Sequence, residues 1–215
     1  MSRGAGSLLA LAGSGALLLF ALAGAARDAS VRYEPPGSWR VPAGDPSRGA
    51  QLAQTCLACH GADATPTDPP APRLLHQRPS YFFTALTEYR DGRRSSSYME
   101  PVAKGLSDQD IRDLAAYLLG DMLDRPPRAH TEMPIYRRTT RDCTWCHGET
   151  GIGEMEGLPV LAGQEPAYLV HALEAYRSGA RTSPVMRGVV RDIAPQDDRA
   201  FADYYGRHAW LERNK

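Results

Sequence analysis

The chain has 215 residues, with 25 Lys or Arg balanced by 25 Asp or Glu, and 42% of it is hydrophobic. Zero net charge excludes the basic footprint of a nucleic-acid binder. The length leaves room for one or two small domains once a leader is set aside.

The first predicted element is an export signal. Arg3 gives a short positive region, Leu8 to Leu22 are apolar and rich in Ala and Leu, and Ala23-Gly24-Ala25 fits a small-x-small cleavage site. Residues 1–25 are therefore read as a signal peptide. An uncleaved N-terminal membrane anchor is the alternative, because Ser7 to Ala26 comes close to the length of a membrane-spanning helix. Either reading exports the rest of the chain to the periplasm.

A helix is predicted over Pro46 to Cys59, with Asp45 as N-cap and Pro46 at the first helical position. It leads into Cys56-Leu57-Ala58-Cys59-His60, and the same pattern returns 87 positions later as Cys143-Thr144-Trp145-Cys146-His147. Two thiols at this spacing add covalently to the vinyl groups of a porphyrin, and the adjacent histidine then lies beneath the iron as its proximal ligand. A zinc ribbon would place its cysteine pairs much closer together, and a thioredoxin-like motif would need a βαβ context. Two disulfides between neighbouring cysteines would leave both trailing histidines unexplained. The reading is two covalent haem c groups, attached at Cys56 and Cys59 and at Cys143 and Cys146, with His60 and His147 on the irons.

A middle helix is predicted from about Ser80 to Arg90, stopping at Gly92, and its copy from about Ala167 to Ser178, stopping at Gly179. A last helix starts at Ser107, where Asp110 resembles a capping box, and carries Ile111, Leu114, Ala115 and Leu118 at core spacing. Its copy starts near Pro195 and carries Phe201, Tyr204 and Tyr205. Between the halves, Asp124-Arg125-Pro126-Pro127-Arg128 reads as a stiff linker. No stretch alternates with period two, so the fold class is all-α. The domains are placed at 44–122 and 132–215, joined by 123–131.

The shift of 87 runs without a gap and superposes Pro72 on Pro159, Gln77 on Gln164, Tyr81 on Tyr168, Arg94 on Arg181 and Met99 on Met186. Of six methionines only Met99 and Met186 are equivalent, each 39 residues after its histidine. They are the candidate distal ligands, Met99 to the first iron and Met186 to the second, where a thioether favours reduced iron. His76, His130, His171 and His208 have no histidine counterpart. Pro72 and Pro159 are natural places for the backbone carbonyl that a proximal histidine needs on its other ring nitrogen. Arg94 and Arg181 either pair with haem propionates or lie solvated at the surface.

These residues carry a family resemblance. Each half resembles a class I cytochrome c: C-x-x-C-H-G, then P-x-L, then a methionine, then a helix of the type Leu106-Ser107-Asp108-Gln109-Asp110-Ile111. The tandem, from about Gly49 to Tyr205, resembles the dihaem cytochrome c4 family, most clearly in Leu161-Ala162-Gly163-Gln164, Tyr168-Leu169, Tyr176-Arg177-Ser178-Gly179-Ala180-Arg181 and Met186. The resemblance implies two tandem class I cytochrome c domains related by a pseudo-twofold axis, each wrapped around a covalent haem c. It implies a periplasmic electron carrier between a quinol-oxidising bc-type complex and a terminal haem-copper oxidase, not an enzyme. The alternative is the haem-bearing subunit of a periplasmic dehydrogenase, such as a flavocytochrome that oxidises sulfide. The chain departs from the family at Leu75-His76-Gln77, where Ala-Gly-Gln is usual, in the proline-rich loop before Pro72, and at Ile193-Ala194-Pro195.

Overall fold

Asp45 starts the first helix as its sequence predicts: its carboxylate accepts from the Ser47 and Arg48 amides, and Pro46 fills the first turn. In the computed structural model, which describes residues 43–66, 70–119 and 141–207, this helix is α1, Pro46–Leu52. The leader and the proline-arginine linker lie outside the described residues. The single helix predicted to Cys59 is corrected to two, because the chain tightens at Ala53. The Cys56 amide bonds the Ala53 carbonyl at 2.8 Å, three residues back, and α2 then runs Gln54–His60.

The rest of the first repeat follows from its caps. Helix α3 spans Pro79–Arg90, and α5 spans Asp108–Leu118 behind a complete Ser107/Asp110 capping box. Ile111, Leu114, Ala115 and Leu118 form its buried face, packed with Phe82 and Leu86 of α3. Helix α1 crosses α5 closely at Gly49, where any side chain would run into the Asp113 backbone. The buried Asp113 carboxylate ties α5 back to the start of α1, accepting from the Asp45 amide at 2.8 Å.

The second repeat has α6 at Arg141–His147, α7 at Pro166–Ser178 and α9 at Asp198–Gly206, the last entered through a 3₁₀ turn at Pro195–Asp197. Gly179 ends α7 in the left-handed conformation, at φ 84°. Two short helices went unpredicted: α4, Met99–Ala103, and α8, Pro184–Arg191. Each carries one of the equivalent methionines. The helices of each repeat pack on one another, α3 on α4 and α5, α7 on α8 and α9. No strand occurs among the described residues; the fold is all-α, two equivalent helical repeats.

The described residues fall in one compact unit, and within it the two repeats are sewn together by crossed contacts. The segments at Arg94 and Arg181 meet as an antiparallel bridge, with the Ser95 amide donating to the Ala180 carbonyl at 2.8 Å. Their side chains then cross: Arg94 donates to the Tyr168 hydroxyl at 2.9 Å, and Arg181 to the Tyr81 hydroxyl at 2.6 Å.

The repeats differ in backbone strain. Ala64 and His76 have φ of 59° and 64°, where the second repeat has Gly151 and Gly163 at 86° and 65°. The left-handed region costs a side chain about 1–2 kcal/mol, some of which glycine loses again to its larger unfolded-state entropy. Ala64→Gly is therefore expected to raise stability by about 1 kcal/mol, read by chemical denaturation of the holoprotein. A loss of stability would show that the Ala64 methyl, buried in the first core, contributes more than the strain removes.

Candidate functional site

Each attachment motif closes a short helix on its histidine. His60 ends α2 and His147 ends α6, and both are buried. Their Nδ1 atoms lie 2.9 Å from the Pro72 carbonyl and 3.2 Å from the Pro159 carbonyl, the partners that the sequence suggests. A carbonyl only accepts, so Nδ1 must carry the proton and Nε2 the lone pair. Burial lowers both histidine pKa values and outweighs the opposing hydrogen bond to the carbonyl, so each ring is neutral and ready to ligate. The following glycine makes this geometry possible. Gly61 and Gly148 have φ of 83° and 74°, and at each a Cβ would collide with a carbonyl across the turn.

The four cysteines form no disulfide. Cys56 and Met99 both pack against the first hydrophobic core, with Leu57, Leu74 and Phe83. Cys143 packs on the second, beside Leu161 and against Leu169, Ala202 and Tyr205. The methionines enter their helices in the same way: the Met99 amide donates to Ser96 Oγ at 3.1 Å, and the Met186 amide to Ser183 Oγ at 3.2 Å. Arg90 and Arg177, also equivalent, brace the methionine-bearing segments to the last helix. Arg90 reaches the Leu106 carbonyl and Asp108; Arg177 reaches the Val190 and Ile193 carbonyls and grips Asp198 with both nitrogens.

Arg94 and Arg181 are not solvated surface residues. Both are buried at the seam between the repeats, stacked over Tyr89 at 4.4 Å and Tyr176 at 4.7 Å. Neither has a carboxylate partner among the described residues, and Arg94 Nε is buried without any hydrogen-bond acceptor. Burial pushes the Tyr168 phenol up, but Arg181 and Arg94 outweigh it and bring it down to about 8. Two buried guanidiniums that share only phenols are a site in want of anions. Haem propionates are such anions. Together with neutral imidazoles, reduced thiols at C-x-x-C spacing and a thioether in each repeat, this donor set fits two covalent haems. Sequence reasoning missed the tyrosines and Gln77 and Gln164 as partners across the seam; only their equal spacing in the repeat marked them.

The fold and the site together define a tandem c-type cytochrome. The profile of the cytochrome c family matches residues 46–120. The chain is 31% identical to the cytochrome c4 of Pseudomonas aeruginosa over 183 residues, 75% of this chain and 88% of that one. It is likewise 31% identical over 171 residues to a thiosulfate dehydrogenase electron acceptor of Stutzerimonas stutzeri, covering 71% and 78% of the two chains. Its fold superposes on the crystal structure of reduced recombinant cytochrome c4 from Pseudomonas stutzeri with a TM-score of 0.66, at 29% identity, over 78% of this chain and all of that one. The chain belongs to the cytochrome c4 family. It is an electron-transfer protein with two covalently bound haem c groups.

Proposed function

We propose that His60 and Met99 hold the first iron and His147 and Met186 the second, with thioethers at Cys56, Cys59, Cys143 and Cys146, in domains at 44–122 and 132–215. In this reading the protein carries electrons in the periplasm from a quinol-oxidising bc-type complex to a haem-copper oxidase. The observation that carries it is the paired hydrogen bond from each buried imidazole to a proline carbonyl, repeated at matching positions. When bound, each haem supplies an iron that cycles between ferric and ferrous. The chain would do the rest: Nδ1 donation would fix each imidazole, Met99 and Met186 would ligate the irons and exclude water and substrates, and Arg94 and Arg181 would neutralise the negative charge that the haems bring. Tyr98 and Val185, each just before its methionine, are exposed and available to a partner's surface.

A second reading, acceptor to a periplasmic dehydrogenase, is supported by the likeness to the thiosulfate dehydrogenase electron acceptor. Stopped-flow mixing of the reduced holoprotein with oxidase-containing membranes separates the two. Rapid oxidation is expected. With no net charge on the chain, the rate should change no more than about twofold as ionic strength rises from roughly 0.05 to 0.3 M. Slow oxidation there, with fast reduction by a thiosulfate- or sulfide-oxidising enzyme, would favour the dehydrogenase instead.

A further inference from the structure

We propose that Gln77 and Gln164 are crossed positioning residues, each setting from its own repeat the strength of the histidine hydrogen bond beneath the other repeat's iron. The proposal rests on the reading of His60 and His147 as the proximal ligands.

Both glutamines are buried at the seam, and each grips one residue of the opposite repeat with both ends of its amide. Gln164 Oε1 accepts from the Arg73 amide at 2.7 Å, while its Nε2 donates to the Arg73 carbonyl at 3.0 Å. Gln77 Oε1 accepts from the Val160 amide at 2.8 Å, while its Nε2 donates to the Val160 carbonyl at 3.1 Å. Arg73 and Val160 are equivalent positions, so the two clamps are one device used twice. The side-chain orientation is dictated by its partners. Each Oε1 also accepts from the next residue's own amide, Arg78 at 3.1 Å and Glu165 at 3.0 Å, so oxygen faces two N–H donors and nitrogen faces a carbonyl.

The gripped residues are the ones that follow Pro72 and Pro159. The Arg73 N–H and the Pro72 C=O therefore belong to a single peptide unit, as do the Val160 N–H and the Pro159 C=O. Amide resonance couples the two ends of such a unit. An acceptor on the N–H pushes electron density onto the carbonyl oxygen, and that oxygen is the acceptor for histidine Nδ1–H. Gln164 thus stands at the head of a relay through the Arg73 amide and Pro72 carbonyl to His60, and Gln77 at the head of its twin through Val160 and Pro159 to His147. Successive hydrogen bonds of this kind strengthen one another by about 10–30% per link. A stronger acceptor at Nδ1 makes the imidazole more basic and favours ferric iron. Each haem's potential is then held down by a residue of the other repeat, and the seam becomes a part of both iron sites.

The arrangement has a signature that a glutamine merely filling the seam would lack: its effects cross over. Gln164→Met and Gln77→Met keep the volume and remove all three side-chain hydrogen bonds. Each holoprotein would be titrated electrochemically with NMR detection, following the upfield methyl signal of each iron-bound methionine in the ferrous state, which resolves the haems. Gln164→Met is expected to raise the ferrous-to-ferric ratio of the first haem about two- to fivefold at a fixed potential, and to leave the second haem unchanged. Gln77→Met should do the reverse. Gln164→Glu keeps the acceptor oxygen and should return the first haem to its original ratio or below, a rescue that restored packing alone would not give. Shifts confined to the mutated repeat's own haem, equal shifts at both haems, or no shift in a folded variant would overturn the proposal. Absence of an upfield methionine methyl signal from the unmutated protein would overturn the ligand assignment itself, and the proposal with it.

Discussion

Met186→Ala and Met99→Ala are each expected to bind one carbon monoxide per molecule when fully reduced, and the double variant two. Each methionine sits at or near the start of a short helix, its amide held by a serine hydroxyl three positions earlier. No histidine stands at an equivalent position in the other repeat to replace either one. Truncation to a methyl group leaves the distal position open to a small ligand. Loss of the thioether should also lower that haem's potential by on the order of a tenth of a volt or more, within the ~0.8 V that axial ligation spans. The other haem should keep its spectrum and potential. If Met186→Ala bound no carbon monoxide, another group would be the second iron's ligand.

Arg94→Met should destabilise the holoprotein by about 3–5 kcal/mol, the cost of leaving a buried charge without its partner. Arg94 is buried, has an unsatisfied Nε, and faces Tyr168 across the seam with Arg181 in the mirrored position on Tyr81. If haem propionates face this guanidinium, its removal would strand their negative charge in the buried seam. It also raises the negative potential around iron, which favours the ferric state. Denaturant unfolding of the holoprotein and the two midpoint potentials should therefore move together, both downward. A cost of only about 1 kcal/mol, the worth of one neutral hydrogen bond, would mean that Arg94 serves the Tyr168 hydroxyl alone and no anion faces it.

The parts of the fold that were legible in the sequence are those with a local chemical cause. Asp45-Pro46 starts α1, Ser107 and Asp110 cap α5, and Gly179 ends α7, each through contacts within a few residues. The break at Ala53 carries no Gly or Pro marker. It comes from a tightened turn that seats the fully buried Ala53 against the core, which only packing decides. Helices α4 and α8 are too short for periodicity to show, although the paired methionines announced that something equivalent lay there. His76 in the place of the family's usual glycine is a departure that the backbone absorbs, at the same left-handed angle as Gly163.

The candidate site divides in the same way. Thioether cysteines, histidines and methionines were marked by motif and by the 87-residue shift. Pro72 and Pro159 could be suggested because a proximal histidine requires an acceptor. The crossed pairs, Arg94 with Tyr168 and Arg181 with Tyr81, and the glutamine clamps, join residues of different repeats. The shift shows such residues to be equivalent, but it cannot show that each equivalent serves its twin, because that depends on which faces of the two repeats pack together.

In the proposed reading both irons are closed by histidine and methionine, and the protein carries electrons rather than binding substrate. The most direct measurement is to add carbon monoxide to the fully reduced, unmutated holoprotein and record the visible spectrum. No spectral change is expected from either haem. Stoichiometric binding at one haem would show an open iron, contradict the ligand set in that repeat and point to a bound substrate instead.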